Sequence, residues 1–273
     1  MKFYNLIISL LIISTLCLSG CISTESSGET VSIKTAGGTA LIPIMKDISK
    51  EYMHENRNVQ VEVTGGGSGF GIKETGEGRL TIGMAGRDLK SEEKEKYPNM
   101  VVYKIGLDGI AIITHKENPV SDLTTKELQK IYSGEITNWN EIGGGNNPIN
   151  IYTREEESGT HETFLNEGLL KGNISPRSLM VSSNGEMKSK ISLDKNGIGY
   201  ISIGYVDDSV KTLMFNGVEP TQENVKEGIY KIYRPLNILT NGKPENSVQN
   251  FIEYILGPNG QKIIENNGFL PVN

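Results

Sequence analysis

Short segments of alternating polar and apolar residues are followed by glycine turns and then by apolar stripes at helical spacing. The first example begins at residues 31–35, which alternate as a strand buried on one face does. Apolar residues then recur at helical spacing from Leu41 to Tyr52, with Pro43 in the first turn, where a helix tolerates proline. The turn Gly37-Gly38-Thr39-Ala40 joins the two segments. The pattern predicts a strand, a glycine turn and a helix.

Two further segments of the chain have the same form. Residues 60–64 alternate and lead into the glycine-rich stretch 65–71, which contains Ser68. The short apolar run 80–85 ends in Gly86 and Arg87. In α/β folds, ligands bind at the carboxyl ends of the strands. We therefore expect these turns to lie together at one edge of a sheet.

A fourth turn carries the side chains best suited to an anion. Residues 149–153 alternate as a short strand, Arg154 follows, and Ser158-Gly159-Thr160 precedes a helical stripe that begins at Phe164. The free amides and dipole of an opening helix, two hydroxyls and the Arg154 guanidinium would converge on negative oxygens. Alone, this triplet is typical of an ordinary N-cap. The chain has three other turns of the same form, and together the four turns favour an anion site.

The N-terminal segment has the features of a signal peptide. Residues 1–20 carry one charge, Lys2, and an apolar run that is too short for a stable membrane span. The run ends in Leu18-Ser19-Gly20-Cys21, which resembles the lipobox of lipoprotein signal peptides. That resemblance implies cleavage before Cys21 and a lipid on its sulfur. Residues 21–30 would then be a flexible, lipid-anchored tether.

Composition excludes several other classes of protein. The chain has 27 basic and 33 acidic residues, a formal net charge of −6, and no basic surface for nucleic acid is apparent. Its three histidines stand far apart, and no metal-binding motif or nucleotide loop is present, so no metal or cofactor is expected. An acidic protein can still bind an anion through local amides and one or two arginines.

The motifs together resemble a known family, the phosphate-binding proteins of ABC phosphate transporters in the periplasmic-binding-protein superfamily. The motifs that carry the resemblance are Gly-Gly-Thr-Ala at 37–40, Gly-Gly-Ser-Gly at 66–69, Ile-Gly-Met-Ala-Gly-Arg at 82–87, Ile-Tyr-Ser-Gly-Glu-Ile-Thr-Asn-Trp at 131–139, Arg154 with 158–160, and residues 197–205. The resemblance implies two α/β lobes joined by two crossing strands, with the ligand in the cleft between the lobes.

The apolar segments 107–114 and 234–240 are candidates for the two crossing strands. The first lobe would combine residues 31–107 with 238–273, and the second would hold residues 108–237. Apolar residues of the Trp139 segment are expected in the core of the second lobe. Tyr200 and Tyr205 lie in a strand-like run and are expected to pack rather than to contact the ligand.

The resemblance also implies which residues contact the ligand. They are Thr39, the Ala40 amide, Ser68, Gly86, Arg154, Ser158, Gly159 and Thr160. Two further assignments stay open. Arg87 is either a second cation for the ligand or part of a salt bridge at the cleft rim. The glutamates 155–157 are either a solvated acidic run, or one of them pairs with Arg154 and holds its guanidinium in place. Glu156 is the best candidate for that pairing.

This chain departs from the family where Ala40 and Gly86 stand, because many relatives have a hydroxyl residue there and some have an aspartate near Gly86. That aspartate accepts the proton of bound phosphate, and sulfate has no such proton. Asp108 and Asp88 are the candidates to replace it. Asp108 has the better case, and the alternative is a turn or hinge aspartate before Gly109.

The sequence thus predicts a binding protein rather than an enzyme. It would be a monomeric lipoprotein, held through the lipid on Cys21 at the extracytoplasmic face of the cell membrane, which binds inorganic phosphate and delivers it to ABC permease subunits. The alternatives are a binder of another tetrahedral oxyanion, sulfate or an organophosphate, and a surface sensor. A hydrolase that uses Ser158 or Ser68 as nucleophile is a further alternative, but no motif supplies a base.

Overall fold

The computed structural model describes residues 30–272. The signal peptide, Cys21 and nearly all of the tether therefore lie outside the described residues. Between residues 30 and 272, no helix is long and apolar enough to cross a membrane.

Eleven strands form the sheet of the described region. They are β1 (Val31–Gly37), β2 (Val59–Thr64), β3 (Ile82–Ala85), β4 (Met100–His115), β5 (Asp122–Leu123), β6 (Asn150–Arg154), β7 (Leu179–Val181), β8 (Gly197–Ser202), β9 (Val210–Phe215), β10 (Tyr233–Asn241) and β11 (Leu270–Pro271).

Nine α-helices cover the faces of the sheet in this part of the chain. They are α1 (Ile42–Glu55), α2 (Ser68–Gly76), α3 (Ser91–Lys96), α4 (Thr125–Ser133), α5 (Gly159–Thr163), α6 (Asn184–Leu193), α7 (Gln222–Lys226), α8 (Asn246–Leu256) and α9 (Pro258–Asn266). Short 3-10 turns cover Thr39–Leu41, Trp139–Ile142 and Ile203–Tyr205, and a π-helical turn, Phe164–Gly168, continues α5.

The strand order is β2-β1-β3-β10-β4-β8-β6-β7. Strands β1, β2 and β3 are parallel, and β10 runs antiparallel to β3 and β4. Strand β4 is long: residues 100–109 pair with β10, and residues 110–114 pair with β8. The two strands β4 and β10 therefore run side by side through the middle of the molecule, as crossing strands do.

The predicted segment 107–114 lies inside β4, but the strand begins earlier, at Met100. Residues 100–104 are half-buried or exposed, and their pairing with the end of β10 keeps them extended. The second predicted segment, 234–240, lies inside β10.

Apolar side chains divide into separate clusters on the two sides of this crossing. The first cluster contains side chains from β1, β2, β3, α1, α8 and α9, with Ile105 and Leu236 at its border. A second cluster lies among residues 110–232 and holds Trp139, Tyr132 and Phe164, and a third packs beside it. We call the first side the first lobe and the other the second lobe. We propose the lobe boundaries predicted from the sequence, with the border in β10 moved so that Leu236 belongs to the first lobe.

Most local predictions in the second lobe agree with the structure. Leu128, Ile131, Tyr132 and Trp139 are buried in its core, and Tyr200 is fully buried on β8. Tyr205 is different. It lies in the 3-10 turn after β8, and its hydroxyl donates to the carbonyl of Thr39 at 2.6 Å. Tyr205 thus packs against the third cluster and also joins the two lobes through its hydroxyl.

Candidate anion-binding site

The four predicted turns meet where the two lobes touch. The amide of Gly69, in the first turn of α2, donates to the carbonyl of Glu157 in the second lobe at 3.0 Å. A Cβ atom built on Gly159 would lie 2.4 Å from the Ser68 hydroxyl and 2.8 Å from the Gly86 carbonyl oxygen. Position 159 must be glycine for the lobes to approach this closely, because a side chain would overlap both groups.

Arg154, the last residue of β6, is buried at the centre of this contact, with a side chain that is 2% exposed. Its Nε donates to the carbonyl of Val181 at 3.0 Å, and Nη2 donates to that of Ser182 at 2.8 Å. Nη1 is buried and has no hydrogen-bond partner among the described residues. Burial lowers the pKa of Arg154 from its ordinary value. A buried cation with a free donor indicates a place for an anion.

The nearest carboxylate to Arg154 is that of Glu155, whose Oε2 lies 3.7 Å from Nε. The prediction that Glu156 is best placed for this pairing was wrong. The pairing with Glu155 is loose, and the Glu155 side chain is 44% exposed, so solvent screens it. The guanidinium is held mainly by the carbonyls of Val181, the last residue of β7, and of Ser182, which follows it.

A rigid aromatic group fixes the end of β6. The Tyr200 hydroxyl accepts from the Arg154 amide at 3.1 Å and hydrogen-bonds the Thr153 hydroxyl at 2.9 Å, while its ring stacks on Phe164 at 3.9 Å between ring centroids. Burial raises the pKa of Tyr200 to about 12, so this group stays neutral. The ring of His161 also contacts the Tyr200 hydroxyl, at 3.2 Å.

Ser158 is the N-cap of α5, and its hydroxyl accepts from the His161 amide at 3.3 Å. Gly159 and Thr160 form the first turn of α5 and are buried. Amides in a first turn have no acceptor within their own helix. The predicted helix start is therefore correct, and it places the Ser158 hydroxyl at the cavity that Arg154 also lines.

The first lobe contributes Thr39 and Ser68. The Thr39 hydroxyl accepts from the side-chain amide of Asn184 at 3.2 Å, which joins the two lobes. The Ser68 hydroxyl accepts from the Gly86 amide at 3.0 Å. The methyl group of Ala40 is buried in the first cluster, so only its backbone is available to a ligand.

A cavity of about 440 Å³ lies between these groups. Its lining comprises polar side chains, glycines and one isoleucine from the two lobes: Thr39, Ile42, Gly65, Gly66, Gly67, Arg154, Glu155, Glu157, Ser158, Ser182 and Ser183. Two of the predicted hydroxyl residues, Thr39 and Ser158, thus line one cavity, and Arg154 adds charge to it.

Sequence reasoning missed Arg234, a second buried cation at the cleft. Arg234 is on β10 directly opposite Asp108 on β4. Its Nε and Nη2 donate to Asp108 Oδ2 at 3.1 and 2.9 Å. Its Nη1 donates to the Thr160 hydroxyl at 2.9 Å and lies 3.4 Å from the Gly86 carbonyl oxygen. The sequence did contain one signal for this residue, because Arg234 stands at the start of an apolar segment that was expected to be a crossing strand. A charge buried in such a strand needs a partner.

Asp108 is fully buried and belongs to this pair. Its Oδ1 accepts from the Ser202 hydroxyl at 2.8 Å. Burial raises the pKa of Asp108, and the charge and hydrogen bonds of Arg234 oppose that rise. Asp108 is therefore close to the ligand residues in the fold, but its carboxylate is already well supplied with donors.

Arg87 points away from the cavity toward a carboxylate cluster at the rim. Its Nη1 and Nη2 each donate to Glu93 at 2.7 Å, and its Nε lies 3.2 Å from Glu162 of α5. Of the two alternatives for Arg87, this geometry favours the salt bridge. Asp88 is not a carboxylate partner of Arg87, which instead donates to the Asp88 carbonyl at 2.8 Å.

No hydrogen bond joins Ser68 or Ser158 to a basic or acidic side chain in the described chain, because each hydroxyl pairs with a backbone amide. Between residues 30 and 272, no group of three metal-ligating side chains could hold a metal ion. Residues from two lobes instead surround a cavity with N–H and O–H donors, and two carboxylate residues, Glu155 and Glu157, also line it. This geometry defines the class of protein: a two-lobed receptor whose cleft fits a small oxyanion.

Comparisons with known proteins agree with this class. The profile of the PBP superfamily domain matches residues 23–259. The phosphate-binding protein PstS of Borreliella burgdorferi is 33% identical, over 98% of this chain and 99% of that protein. PstS of Bacillus subtilis is 31% identical over 88% of this chain and 81% of that protein.

A solved structure from Clostridium perfringens, described as a putative phosphate ABC transporter substrate-binding protein with bound phosphate, is also similar. It has a TM-score of 0.85 and 38% identity, over 89% of this chain and all of that one. The chain therefore belongs to the PBP superfamily, in the branch that contains the PstS proteins.

Proposed function

We propose that the protein is the extracytoplasmic substrate-binding component of an ABC importer and that its substrate is inorganic phosphate. The ligand would lie between the lobes, held by Arg154 with hydroxyls and amides of both lobes. An anion that contacts both lobes stabilises the closed arrangement more than the open one. Release to permease subunits would follow opening of the cleft.

The single observation that carries this proposal is the free Nη1 of Arg154. The guanidinium is buried, its neighbours are neutral carbonyls, and one exposed carboxylate approaches only to 3.7 Å. A buried charge without a partner is strongly unfavourable. A phosphate oxygen would provide both the missing acceptor and the missing negative charge. The names of the relatives support phosphate as the anion.

The remaining parts of the proposal concern attachment and partners. The lipobox-like sequence that ends at Cys21 supports a lipid anchor on the extracytoplasmic face of the membrane. Binding and release require no covalent chemistry, so we propose no catalytic role. One cleft per chain suffices for this function, and we propose a monomer that acts with permease subunits.

The test is isothermal titration calorimetry of the purified chain with phosphate, after endogenous ligand has been removed. We expect saturable binding at one site per chain. Arg154→Ala should weaken it by about 2 kcal/mol or more, roughly thirtyfold, because a charge-assisted contact is lost. The matched control is Arg177→Ala, which removes an exposed arginine of the same lobe. Equal affinity in the two variants would refute the site.

A further inference from the structure

The start of helix α6 lies between the two sides of the cleft. It comprises Ser182 and Ser183, which line the cavity, and Asn184, the first residue of α6. The Ser182 carbonyl accepts from Arg154 Nη2 at 2.8 Å, and the side-chain amide of Asn184 donates to the Thr39 hydroxyl at 3.2 Å. This short segment therefore connects a candidate ligand residue of the second lobe with one of the first.

Two partners fix the orientation of the Asn184 side chain, which is 0% exposed. Its Oδ1 accepts from the backbone amide of Ser202 at 3.0 Å. A backbone N–H can only donate, so the side-chain oxygen of Asn184 must face Ser202 and its nitrogen must face Thr39. The Thr39 hydroxyl is thus the acceptor in its bond with Asn184, and the hydroxyl proton points away from Asn184.

The second lobe holds Asn184 in place through Ser202. The Ser202 hydroxyl donates to Asp108 Oδ1 at 2.8 Å, and Asp108 pairs with Arg234. The bond between Ser202 and Asn184 therefore lies inside the second lobe, whereas the bond between Asn184 and Thr39 crosses to the first. Separation of the lobes would break the bond to Thr39 and leave the bond to Ser202 intact.

Asn184 differs from other contacts between the lobes in the group that it reaches. Tyr205 meets the backbone carbonyl of Thr39, and Arg87 meets Glu162 at the rim of the cleft. Asn184 instead ends on the side chain of a candidate ligand residue. The direction of the Thr39 hydroxyl is therefore controlled from the second lobe, and only while the lobes are closed.

The energetic effect of this bond belongs to closure. In an open cleft, water would hydrogen-bond both the Asn184 amide and the Thr39 hydroxyl. The bond therefore contributes the net value of one neutral hydrogen bond, a factor of about two to ten in the equilibrium between closed and open lobes. A ligand enters while the lobes are apart, before the bond forms. Loss of the bond should therefore speed dissociation and leave association nearly unchanged.

We propose, resting on the proposed function, that Asn184 is a positioning residue for the ligand. It acts through Thr39, whose hydroxyl it holds in the closed cleft, and it thereby sets how long phosphate stays bound. The ion pair of the crossing strands supports it through Ser202, so that closure brings a rigid donor to Thr39.

The test measures the dissociation rate constant of inorganic phosphate from the purified chain by ³¹P exchange NMR. Calorimetry gives the dissociation constant, and the two values together give the association rate constant. Asn184→Ala should raise the dissociation rate constant about fivefold and change the association rate constant less than about twofold. An unchanged dissociation rate constant would overturn the proposal.

A double-mutant cycle separates positioning of Thr39 from a general effect on the fold. In a Thr39→Val background, Asn184→Ala should change the dissociation rate constant by less than about twofold, because the hydroxyl on which Asn184 acts is gone. The matched control is a Ser68→Ala background, which removes a first-lobe hydroxyl that bonds Gly86 instead, and there the fivefold effect should remain. A full effect of Asn184→Ala in the Thr39→Val background would overturn the proposal. The dissociation constant from calorimetry completes the cycle for any variant that binds weakly.

A second variant serves if Asn184→Ala does not fold. Asn184→Asp keeps an acceptor for the Ser202 amide but has no donor for Thr39, and it adds a negative charge. We expect phosphate binding at least tenfold weaker, with a smaller loss in the Thr39→Val background. Affinity equal to that of the parent chain would overturn the proposal and leave the proposed function intact. Failure of the parent chain to bind phosphate would instead refute the proposed function.

Discussion

Two arginines are buried at the cleft, and their surroundings differ. The side chain of Arg234 is 2% exposed and faces the carboxylate of Asp108 across the crossing strands, with its remaining nitrogen on Thr160. That of Arg154 is also 2% exposed, yet it has neutral carbonyls as partners and one nitrogen with none among the described residues. Arg234 forms a complete internal ion pair, whereas Arg154 is complete only with an external anion. Burial alone does not distinguish a structural charge from a binding charge.

The difference should be measurable in the absence of ligand. Breaking a buried ion pair leaves an uncompensated charge and is strongly destabilising, whereas removal of a buried charge that lacks a partner relieves a desolvation penalty. The same chemical change, arginine to methionine, should therefore have opposite consequences at the two positions.

The largest effect is expected for Arg234→Met. The unpaired Asp108 should lower the free energy of unfolding by about 3–5 kcal/mol, as measured by urea denaturation without ligand. The double variant Asp108→Leu with Arg234→Met is the control, because replacing both charges restores an apolar crossing and should recover most of the loss. A loss below about 1 kcal/mol in the single variant would mean that the pair is not needed for stability.

A smaller effect is expected from the ligand itself. Phosphate at about 100 times its dissociation constant should raise the unfolding free energy of the parent chain by about 2.7 kcal/mol. At the same phosphate concentration, Arg154→Met should gain less than about 1 kcal/mol, because its affinity is too low. Thermal or urea unfolding with and without phosphate measures both. Equal gains in the two proteins would remove Arg154 from the ligand site.

Without ligand, Arg154→Met should change the unfolding free energy by no more than about 1 kcal/mol, and an increase is the expected sign. Methionine fills much of the same volume and leaves no buried charge. Urea denaturation of the ligand-free variant measures the change. Destabilisation as large as that of Arg234→Met would show that the two arginines are alike and that the contrast between them is wrong.

The smallest effect concerns the rim. Glu162→Gln weakens the bridge to Arg87 across the lobes, and we expect a loss of phosphate affinity of about twofold at low ionic strength, since Arg87 keeps both of its hydrogen bonds to Glu93. The loss should become smaller at about 1 M salt but should not disappear, because Arg87 is buried and buried charges are screened less than exposed ones. Glu167→Gln, an exposed change in the next turn, is the matched control. A loss of about tenfold from Glu162→Gln alone would place the rim in the binding site.

The parts of the site that are local in sequence were predictable. Ser158 caps α5 because a serine, a glycine and an apolar stripe follow in the order that a helix start requires. The glycine turns after β1 and β2 likewise follow from neighbouring residues. Arg154 could be proposed as a ligand residue because it stands between a strand and a helix start.

The parts that depend on pairing between distant strands were not predictable. Asp108 meets Arg234 only because β4 and β10 are in register, and no local pattern states that register. Tyr205 reaches Thr39 because the chain turns after β8 instead of extending it. Glu155, and not Glu156, approaches Arg154, since the direction of each side chain in that loop depends on packing against the other lobe.

The close fit at Gly159 has a consequence for other chains of this fold. A single methyl group there would overlap Ser68 and the Gly86 carbonyl. The lobes can approach this closely only because glycine has no Cβ atom. A homologous chain with alanine or a larger residue at this position must hold its ligand in a wider cleft. The residue type at this one position is therefore a gauge of how tightly each relative can close on its ligand.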